Sequence, residues 1–141
     1  MYTKTTKEPK VRKWVLIDLT DQSLGRVATK IADILRGRHR ATFSPNVDTG
    51  DFVVAINASK VKLTGKKMHD KMYYWHSRFI GGLRESNAEK LMAKHPEQII
   101  ERAVKGMLPH NDLSRKVLKK FKVFAGSTHP YKAQIEGAKT N

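Results

Sequence analysis

Apolar positions recur along the chain at two spacings, and their order predicts a mixed α/β domain. Residues 14–19 (WVLIDL) and 52–56 (FVVAI) are short, continuous apolar runs, as expected of strands that are buried on both faces. Between them, an apolar stripe at helical spacing comprises Leu24, Val27, Ala28, Ile31, Ala32 and Leu35. A strand, a helix and a strand in this order predict a βαβ unit, whose crossover should be right-handed.

Polar residues and glycines mark the ends of these elements. Asp21 and Ser23 can cap the start of the predicted helix, and Gly37 stands where a C-terminal glycine in the left-handed conformation is expected. A basic loop over residues 36–40 (RGRHR) and a polar turn over residues 46–51 (NVDTGD) then lead into the second strand.

The second half of the chain is predicted to mix strands and helices. Alternation over residues 60–67 (KVKLTGKK) predicts a short strand that runs into a Thr-Gly turn, and the aromatic residues of 71–76 (KMYYWH) predict another strand. A helix is predicted over residues 87–93. Pro96 suits the first position of the next helix, whose buried stripe comprises Ile99, Ile100, Ala103, Val104 and Met107.

Pro109 ends that helix, because its ring fixes φ and disfavours the helical conformation of the preceding residue. Asp112 is the predicted cap of a further helix. The residues of this helix that are expected to face the core are Leu113, Val117, Leu118 and Phe121. Residues 122–126 (KVFAG) predict a last short strand. The predicted fold class is therefore α/β, with a small, mostly parallel sheet covered by helices.

Three parts of the chain differ in composition. Residues 1–13 carry five cations and no apolar periodicity, so they predict a basic arm that is extended and disordered until it meets a partner. Residues 14–134 are expected to form one α/β domain. The polar residues after Tyr131 predict a loose tail, which we place at residues 135–141.

The charge balance predicts a polyanionic partner. Lysine and arginine number 28 against 13 aspartate and glutamate residues, which gives a net charge of +15 at pH 7. A compact domain with this imbalance repels itself, and nucleic acid is the partner that fits it. No apolar run approaches the ~18–20 residues that span a bilayer, and the N-terminus lacks the apolar segment of a signal peptide.

Enzymatic and metal-binding motifs do not match. The absence of cysteine excludes thiolate metal sites and a cysteine nucleophile, and the six histidines lack the spacing of a zinc site. The sequence TGKK (64–67) lacks the first glycine and the final Ser or Thr of a P-loop, and SLGR (23–26) has one glycine where a dinucleotide site needs three. No cofactor and no metal are predicted. A catalytic triad assembled from distant residues would leave no local motif, and nothing in the sequence argues for one.

Three local clusters of cations are more informative. Residues 36–40 place three arginines and a histidine after a helix, more than the helix dipole needs. Residues 60–78 interleave lysines with four rings at 73–76, which is typical of a surface where bases stack and lysines hold phosphates. Half of those rings are expected in the core, because a strand alternates faces.

The third cluster lies on the helix predicted from Asp112. Arg115 and Lys119 are four residues apart, as are Lys116 and Lys120. Such like-charge pairs cost an isolated helix a few tenths of a kcal/mol. Because phosphate neutralisation offsets that cost, this helix is predicted to face the core on one side and a polyanion on the other.

Several stretches resemble the bacterial form of the thirteenth large-subunit ribosomal protein, the L-thirteen family. They are WVLIDLTDQSLGRVATKIADILRGRHR, VDTGDFVVAINASKVKLTGKK, YYWHS with IGGL, AVKGMLP and KVFAGSTHP, in this order. The resemblance extends from about residue 14 to residue 134. It implies a three-layer fold in which a parallel sheet of four strands lies between helices.

The resemblance also implies a function. Members of this family are non-enzymatic structural proteins that pack on large-subunit (23S-type) rRNA beside neighbouring ribosomal proteins and join the subunit early in its assembly. A cytoplasmic, ribosome-bound protein is therefore expected. The alternatives are a free-standing regulator that binds mRNA, because some members have been linked to that role, and a small α/β enzyme.

Matching the family motifs and the basic clusters gives a candidate RNA-facing set. It comprises Lys10, Arg12, Lys13, Arg26, Arg36, Arg38, His39, Arg40, Lys66, Lys67, Tyr74, Trp75, His76, Arg115, Lys116, Lys119, Lys120 and His129.

Overall fold

Five strands and six helices follow one another in the computed structural model, which describes residues 12–139, with side chains described as far as residue 137. The strands are β1 (Trp14–Asp18), β2 (Phe52–Ile56), β3 (Met72–His76), β4 (Leu83–Asn87) and β5 (Phe121–Val123). The helices are α1 (Leu24–Arg36), α2 (Lys67–Asp70), α3 (Ala88–Lys94), α4 (Pro96–Met107), α5 (Asp112–Leu118) and α6 (Lys132–Lys139). Most of the predicted basic arm, including Lys10, lies outside the described residues.

The mixed α/β class is confirmed, but the described residues place three strands, not four, in the parallel sheet. Its order is β1-β2-β5, and Trp14 pairs with Phe52 while Val53 pairs with Phe121. The parallel pairing of β1 and β2 around α1 confirms the predicted strand–helix–strand unit. The fourth strand and the three-layer arrangement are not confirmed.

The strand predicted over residues 60–67 is wrong. This segment contains the end of a 3₁₀ turn (Ala58–Lys60), a single bridge between Lys62 and Ser23, and the start of α2. Gly65 has a φ of 64°, which turns the chain away before a ladder can extend. The alternation in the sequence is therefore real but too short to build a strand.

Strands β3 and β4 form a separate antiparallel hairpin. Strand β3 confirms the strand predicted at residues 71–76. Strand β4 (LRESN) was not predicted, because its alternating side chains are mostly polar and only the preceding Gly81–Gly82 pair signals a turn. Helix α3 follows directly, and Asn87 caps it by accepting a hydrogen bond from the Lys90 N–H at 3.0 Å.

Helix α1 supplies the centre of the core. All six residues of its predicted stripe are buried, and Gly37 ends the helix with a φ of 79°, as expected. A Cβ on Gly50 would lie 1.7 Å from the Leu35 carbonyl oxygen, so the loop before β2 presses directly on the end of α1. Ser23 is the N-cap residue but makes no side-chain cap hydrogen bond.

Other burial predictions hold only in part. The three central residues of β2 are buried, but in β1 only Ile17 is buried, and Leu16, which lies on the opposite face of the strand, is 43% exposed. In α4, Ile99, Ile100 and Val104 are buried as predicted, whereas Met107 at its C-terminal end is 40% exposed.

Three predictions about the second half of the chain differ from the structure. Asn111, not Asp112, caps α5, and its side chain accepts a hydrogen bond from the Ser114 N–H at 2.8 Å. The last strand, β5, begins and ends earlier than predicted. The loose tail predicted after Tyr131 is wrong for residues 132–139, which form α6. This helix packs on β1 and buries Ile135, and the Tyr131 ring lies 5.2 Å from that of Trp14.

A buried polar network fixes the loop between α1 and β2. The Lys120 ammonium donates to Asp48 Oδ1 at 2.6 Å, to the Gly50 carbonyl at 3.0 Å and to the Leu35 carbonyl at 3.3 Å. Lys120 is 4% exposed and Asp48 7% exposed. Asp51 continues the network by accepting from the Lys13 backbone N–H at 2.8 Å. One lysine thus joins α1, the loop and the turn before β5.

We expect Lys120→Met to lower the free energy of unfolding by about 3 kcal/mol, because it leaves the buried Asp48 carboxylate without its closest cation. Urea unfolding monitored by circular dichroism measures the change. Lys119→Met is the matched control, since Lys119 is exposed, and it should change stability by less than about 0.5 kcal/mol. Equal stabilities of the two variants would contradict this role of Lys120.

The Asp18 carboxylate, at the end of β1, has a lowered pKa. It accepts hydrogen bonds from Asn57 Nδ2 at 2.9 Å, from the Thr20 N–H at 3.0 Å and from the Thr20 hydroxyl at 2.7 Å. These bonds, that from Asn57 foremost, lower the pKa of Asp18 from 3.8 to about 2.

Asn57→Gly should raise the pKa of Asp18 toward 3.8, because glycine keeps the left-handed conformation at residue 57 but removes the amide donor. Carbon-13 NMR titration of the Asp18 carboxyl measures the shift. A lowered pKa stabilises the fold above pH 3.8, and this contribution is lost as the pH falls toward 2. Asp18→Asn should remove that pH dependence. An unchanged pKa in Asn57→Gly would refute the assigned cause.

Candidate nucleic-acid interface

The predicted cationic loop after α1 divides into structural and exposed side chains. Arg40 is 22% exposed and its guanidinium is paired with the buried Asp51 carboxylate, to which His39 Nε2 also lies at 2.9 Å. Arg38 is 58% exposed and meets Asp33 only at 3.5 Å. Arg38 is therefore available to a phosphate, whereas Arg40 mainly holds the loop. Arg36 is half-buried, and its guanidinium lies 5.8 Å from the centre of the Phe43 ring.

Helix α5 lies beside this loop. Arg36 and Ser114 line the same small cavity, which brings the C-terminal end of α1 and the start of α5 together. Arg115, Lys116 and Lys119 are exposed, and Arg115 pairs with Asp112 at 2.9 Å. Together with the exposed Arg38 and the half-buried Arg36, these exposed cations form what we call the α1–α5 basic surface (Arg36, Arg38, Arg115, Lys116 and Lys119).

Lys120 does not belong to that surface. Helix α5 ends at Leu118, so Lys120 is not on the same helix as Lys116, and its ammonium points into the protein. Burial lowers the pKa of Lys120, while the hydrogen bond to Asp48 opposes that shift. The prediction that Lys120 faces a polyanion is wrong. In the sequence, nothing separates it from the neighbouring exposed lysines.

The aromatic residues of β3 point to two faces. Tyr74 is 58% exposed and His76 is exposed, whereas Tyr73 is buried. Trp75 shares the Tyr73 face but remains 39% exposed. Of the four rings at 73–76, only that of Tyr73 is in the core, although half were expected. Tyr74 and His76 are thus open to stacking with bases.

Arg102 of α4 was missed by the sequence analysis. Its guanidinium lies 5.5 Å from the centre of the Tyr73 ring and 5.6 Å from that of Trp75. Burial raises the pKa of Tyr73, and the Arg102 charge opposes this shift. No pattern in the sequence indicates these contacts, because β3 and α4 meet only in the tertiary structure.

Lys66 and Lys67 lie on the rim of a groove between the start of α1 and the end of α4. We call it the α1–α4 groove, and its volume is about 730 Å³. Its lining includes Gly25, Lys62, Lys66, Lys67, Arg102, Gly106 and Met107. Lys66 and Lys67 are exposed, as is Arg26 next to Gly25. The first turn of α1 contains no acidic residue that would repel an anion.

The remaining predicted residues are positioned differently. Arg12 is bound to Asp48 at 3.3 Å, so it contributes to the buried network. Lys13 is exposed, while its backbone N–H holds Asp51. His129 is half-buried, with its ring 6.3 Å from that of Phe124. Lys10 lies outside the described residues.

Residues 12–139 contain neither a metal-binding cluster nor a membrane-spanning helix. No three His, Asp or Glu side chains of this part of the chain come together in a way that could hold a metal ion. No helix in the same range is both long enough and apolar enough to span a bilayer.

The fold and surface define a small, strongly basic α/β protein. Its buried carboxylates pair with cations near the core, and other cations are exposed on several elements. Comparison with known proteins places it more narrowly. Residues 12–130 match the family described as "Ribosomal protein L13". The chain belongs to this family, whose members are structural and non-enzymatic. The family resemblance recognised in the sequence is thereby confirmed.

Similar proteins span almost the whole chain. The chain is 56% identical to the protein named "Large ribosomal subunit protein uL13" of Syntrophotalea carbinolica, over 95% of each chain. It is 55% identical to the protein of the same name from Pseudomonas entomophila and 53% identical to that of Geobacter sp. strain M21, with the same coverage.

We expect Arg40→Gln and Arg38→Gln to differ in stability although both remove one charge. Arg40→Gln breaks the charged hydrogen bond to the buried Asp51 and should cost about 2 kcal/mol of unfolding free energy. Arg38→Gln should cost less than about 0.5 kcal/mol, since its side chain is exposed. Chemical denaturation measures both. A larger loss in Arg38→Gln would contradict this division of the loop.

Proposed function

We propose that this protein is a structural component of the large ribosomal subunit that binds 23S-type rRNA and supports early assembly of the subunit in the cytoplasm. The observation that carries the proposal is its 53–56% identity to proteins named "Large ribosomal subunit protein uL13" over 95% of the chain. Its net charge of +15 and the exposed cations of the α1–α5 basic surface support RNA as the direct partner.

The mechanism is neutralisation of phosphates by cations held in fixed relative positions. Asp48 and Asp51 are buried and hold the loop from within, so they lie away from the surface offered to RNA. Arg38, Lys116 and Lys119 then face solvent from the end of α1 and from α5. Each phosphate contact releases condensed counterions, which favours binding and makes it depend on salt.

Recognition is expected to follow RNA shape more than base sequence. The narrow major groove of an A-form helix cannot be read by side chains, so contacts fall on phosphates, riboses and unpaired bases. Tyr74 and His76 offer exposed rings on one face of the hairpin, where an unpaired base can stack. The hairpin therefore complements the cations of the α1–α5 basic surface.

The tip of the same hairpin suits contact with a neighbouring ribosomal protein. Phe79 is 77% exposed, Leu83 is 65% exposed and Ile80 is fully exposed. Exposed apolar clusters of this kind mark interaction sites on soluble proteins. A protein surface covers such side chains better than the charged backbone of RNA does.

In cell lysate, we expect the tagged protein to sediment with the large subunit at one copy per particle and to resist a high-salt wash. A sucrose gradient followed by quantitative immunoblotting measures its amount before and after the wash. A substoichiometric signal that washes off, or a signal at the top of the gradient, would contradict the structural role and favour the mRNA-binding regulator.

The triple variant Arg38→Gln, Lys116→Gln, Lys119→Gln should leave the subunit at lower salt than the unmodified chain. Because three phosphate contacts are lost, the slope of log affinity against log salt concentration should become shallower by about two to three. The matched control is Lys30→Gln, Lys90→Gln, Lys94→Gln, which removes the same charge from exposed positions outside the predicted surface. Equal release of both variants would refute the assigned surface.

A further inference from the structure

The α1–α4 groove has the size and chemistry of a binding site for a small, flat, anionic group. Its volume of about 730 Å³ falls within the range of ligand pockets. It lies where the N-terminal end of α1, the segment before α2 and the C-terminal end of α4 converge. These three elements combine an apolar floor with a cationic rim.

The rim of the groove carries an excess of positive charge. The lining includes Lys62, Lys66, Lys67, Lys71 and Arg102 against one carboxylate, Asp70. Lys62 is paired with Asp21 at 2.9 Å, and Lys67 Nζ lies 3.3 Å from the Thr64 hydroxyl. Lys66 and Lys67 are both exposed beside the Gly65 turn. This rim is therefore suited to a phosphate.

The lining of the groove also has an apolar part, which includes Met107. Met107 is 40% exposed, and its Sδ lies 3.4 Å from the Thr29 hydroxyl of α1. Methionine sulfur is polarisable and contacts aromatic rings favourably. An exposed methionine beside lysines is suited to a nucleobase.

Two helical glycines line the same groove. A Cβ at Gly25 or at Gly106 would meet no atom beyond the neighbouring residues and the backbone of its own helix within 4 Å, and neither residue has a positive φ. The protein itself would thus accommodate alanine, which favours helices more than glycine does. The bare backbone at both positions leaves room for close approach by a bound group.

On the basis of these observations and of the function proposed above, we propose that the α1–α4 groove receives one unpaired rRNA nucleotide. Lys66 and Lys67 hold its phosphate, and its base lies over Gly106 and Met107. A base paired within a duplex stays stacked on its neighbours, whereas bases in bulges and loops can be splayed out, so the nucleotide comes from a bulge or a loop.

Chemical probing of large subunits that carry the Gly106→Leu variant tests this site. A leucine side chain at residue 106 projects into the groove where the base is proposed to lie, so the displaced base should react with a base-specific probe such as dimethyl sulfate about fivefold more than in subunits with the unmodified chain. The change should be confined to one unpaired nucleotide or its immediate neighbours. The variant should also be released at lower salt.

Gly126→Leu is the matched control, because Gly126 is exposed and a Cβ there also meets no atom within 4 Å. It should change neither the base reactivity nor the salt of release. Thermal unfolding of the purified variants shows whether each chain folds. As a second measurement, photo-methionine at position 107 should crosslink to the same unpaired nucleotide.

The outcomes separate this inference from the proposed function. Unchanged base reactivity in Gly106→Leu, or a photo-methionine crosslink that maps to duplex or to protein, would overturn the groove assignment while the subunit role stands. Absence of the unmodified chain from large subunits would instead overturn the proposed function itself. If Gly106→Leu does not fold, the crosslink alone decides.

Discussion

The ion pair between Lys120 and Asp48 is the interaction on which the described fold most depends. It is buried, and the same ammonium also satisfies the carbonyls of Leu35 and Gly50. Burial lowers the pKa of Lys120, and the hydrogen bond to Asp48 and the charge of Asp48 oppose this shift. The pair joins the end of α1 to the turn before β5, and it fixes the loop that leads into the central strand.

This arrangement explains how a strongly basic chain can fold around its own charge. The buried carboxylates are placed where they neutralise the cations closest to the core, namely Arg12, Arg40 and Lys120. The exposed cations lie on the outside, where water and salt screen their repulsion. The proposed binding of rRNA would reduce the remaining repulsion, as expected for a member of a ribosomal protein family.

The sequence predicted elements that depend on local periodicity and missed contacts that depend on tertiary structure. The stripe of α1 and its Gly37 terminus were predicted correctly, because helical spacing and a left-handed glycine are local signals. Arg38 and Arg40 look alike in the sequence, and only the position of Asp51 distinguishes them. The same holds for Arg102, whose contact with Trp75 joins elements far apart in the chain.

The strand order β1-β2-β5 also has a consequence for the synthesis of the protein. The last strand to be made pairs directly with the central one, and Lys120 immediately precedes it. A nascent chain therefore cannot complete the sheet or neutralise Asp48 with this lysine until most of the polypeptide has been translated. Contacts this distant in sequence form late and slowly. The protein consequently acquires its finished cationic surfaces only near the end of its own translation.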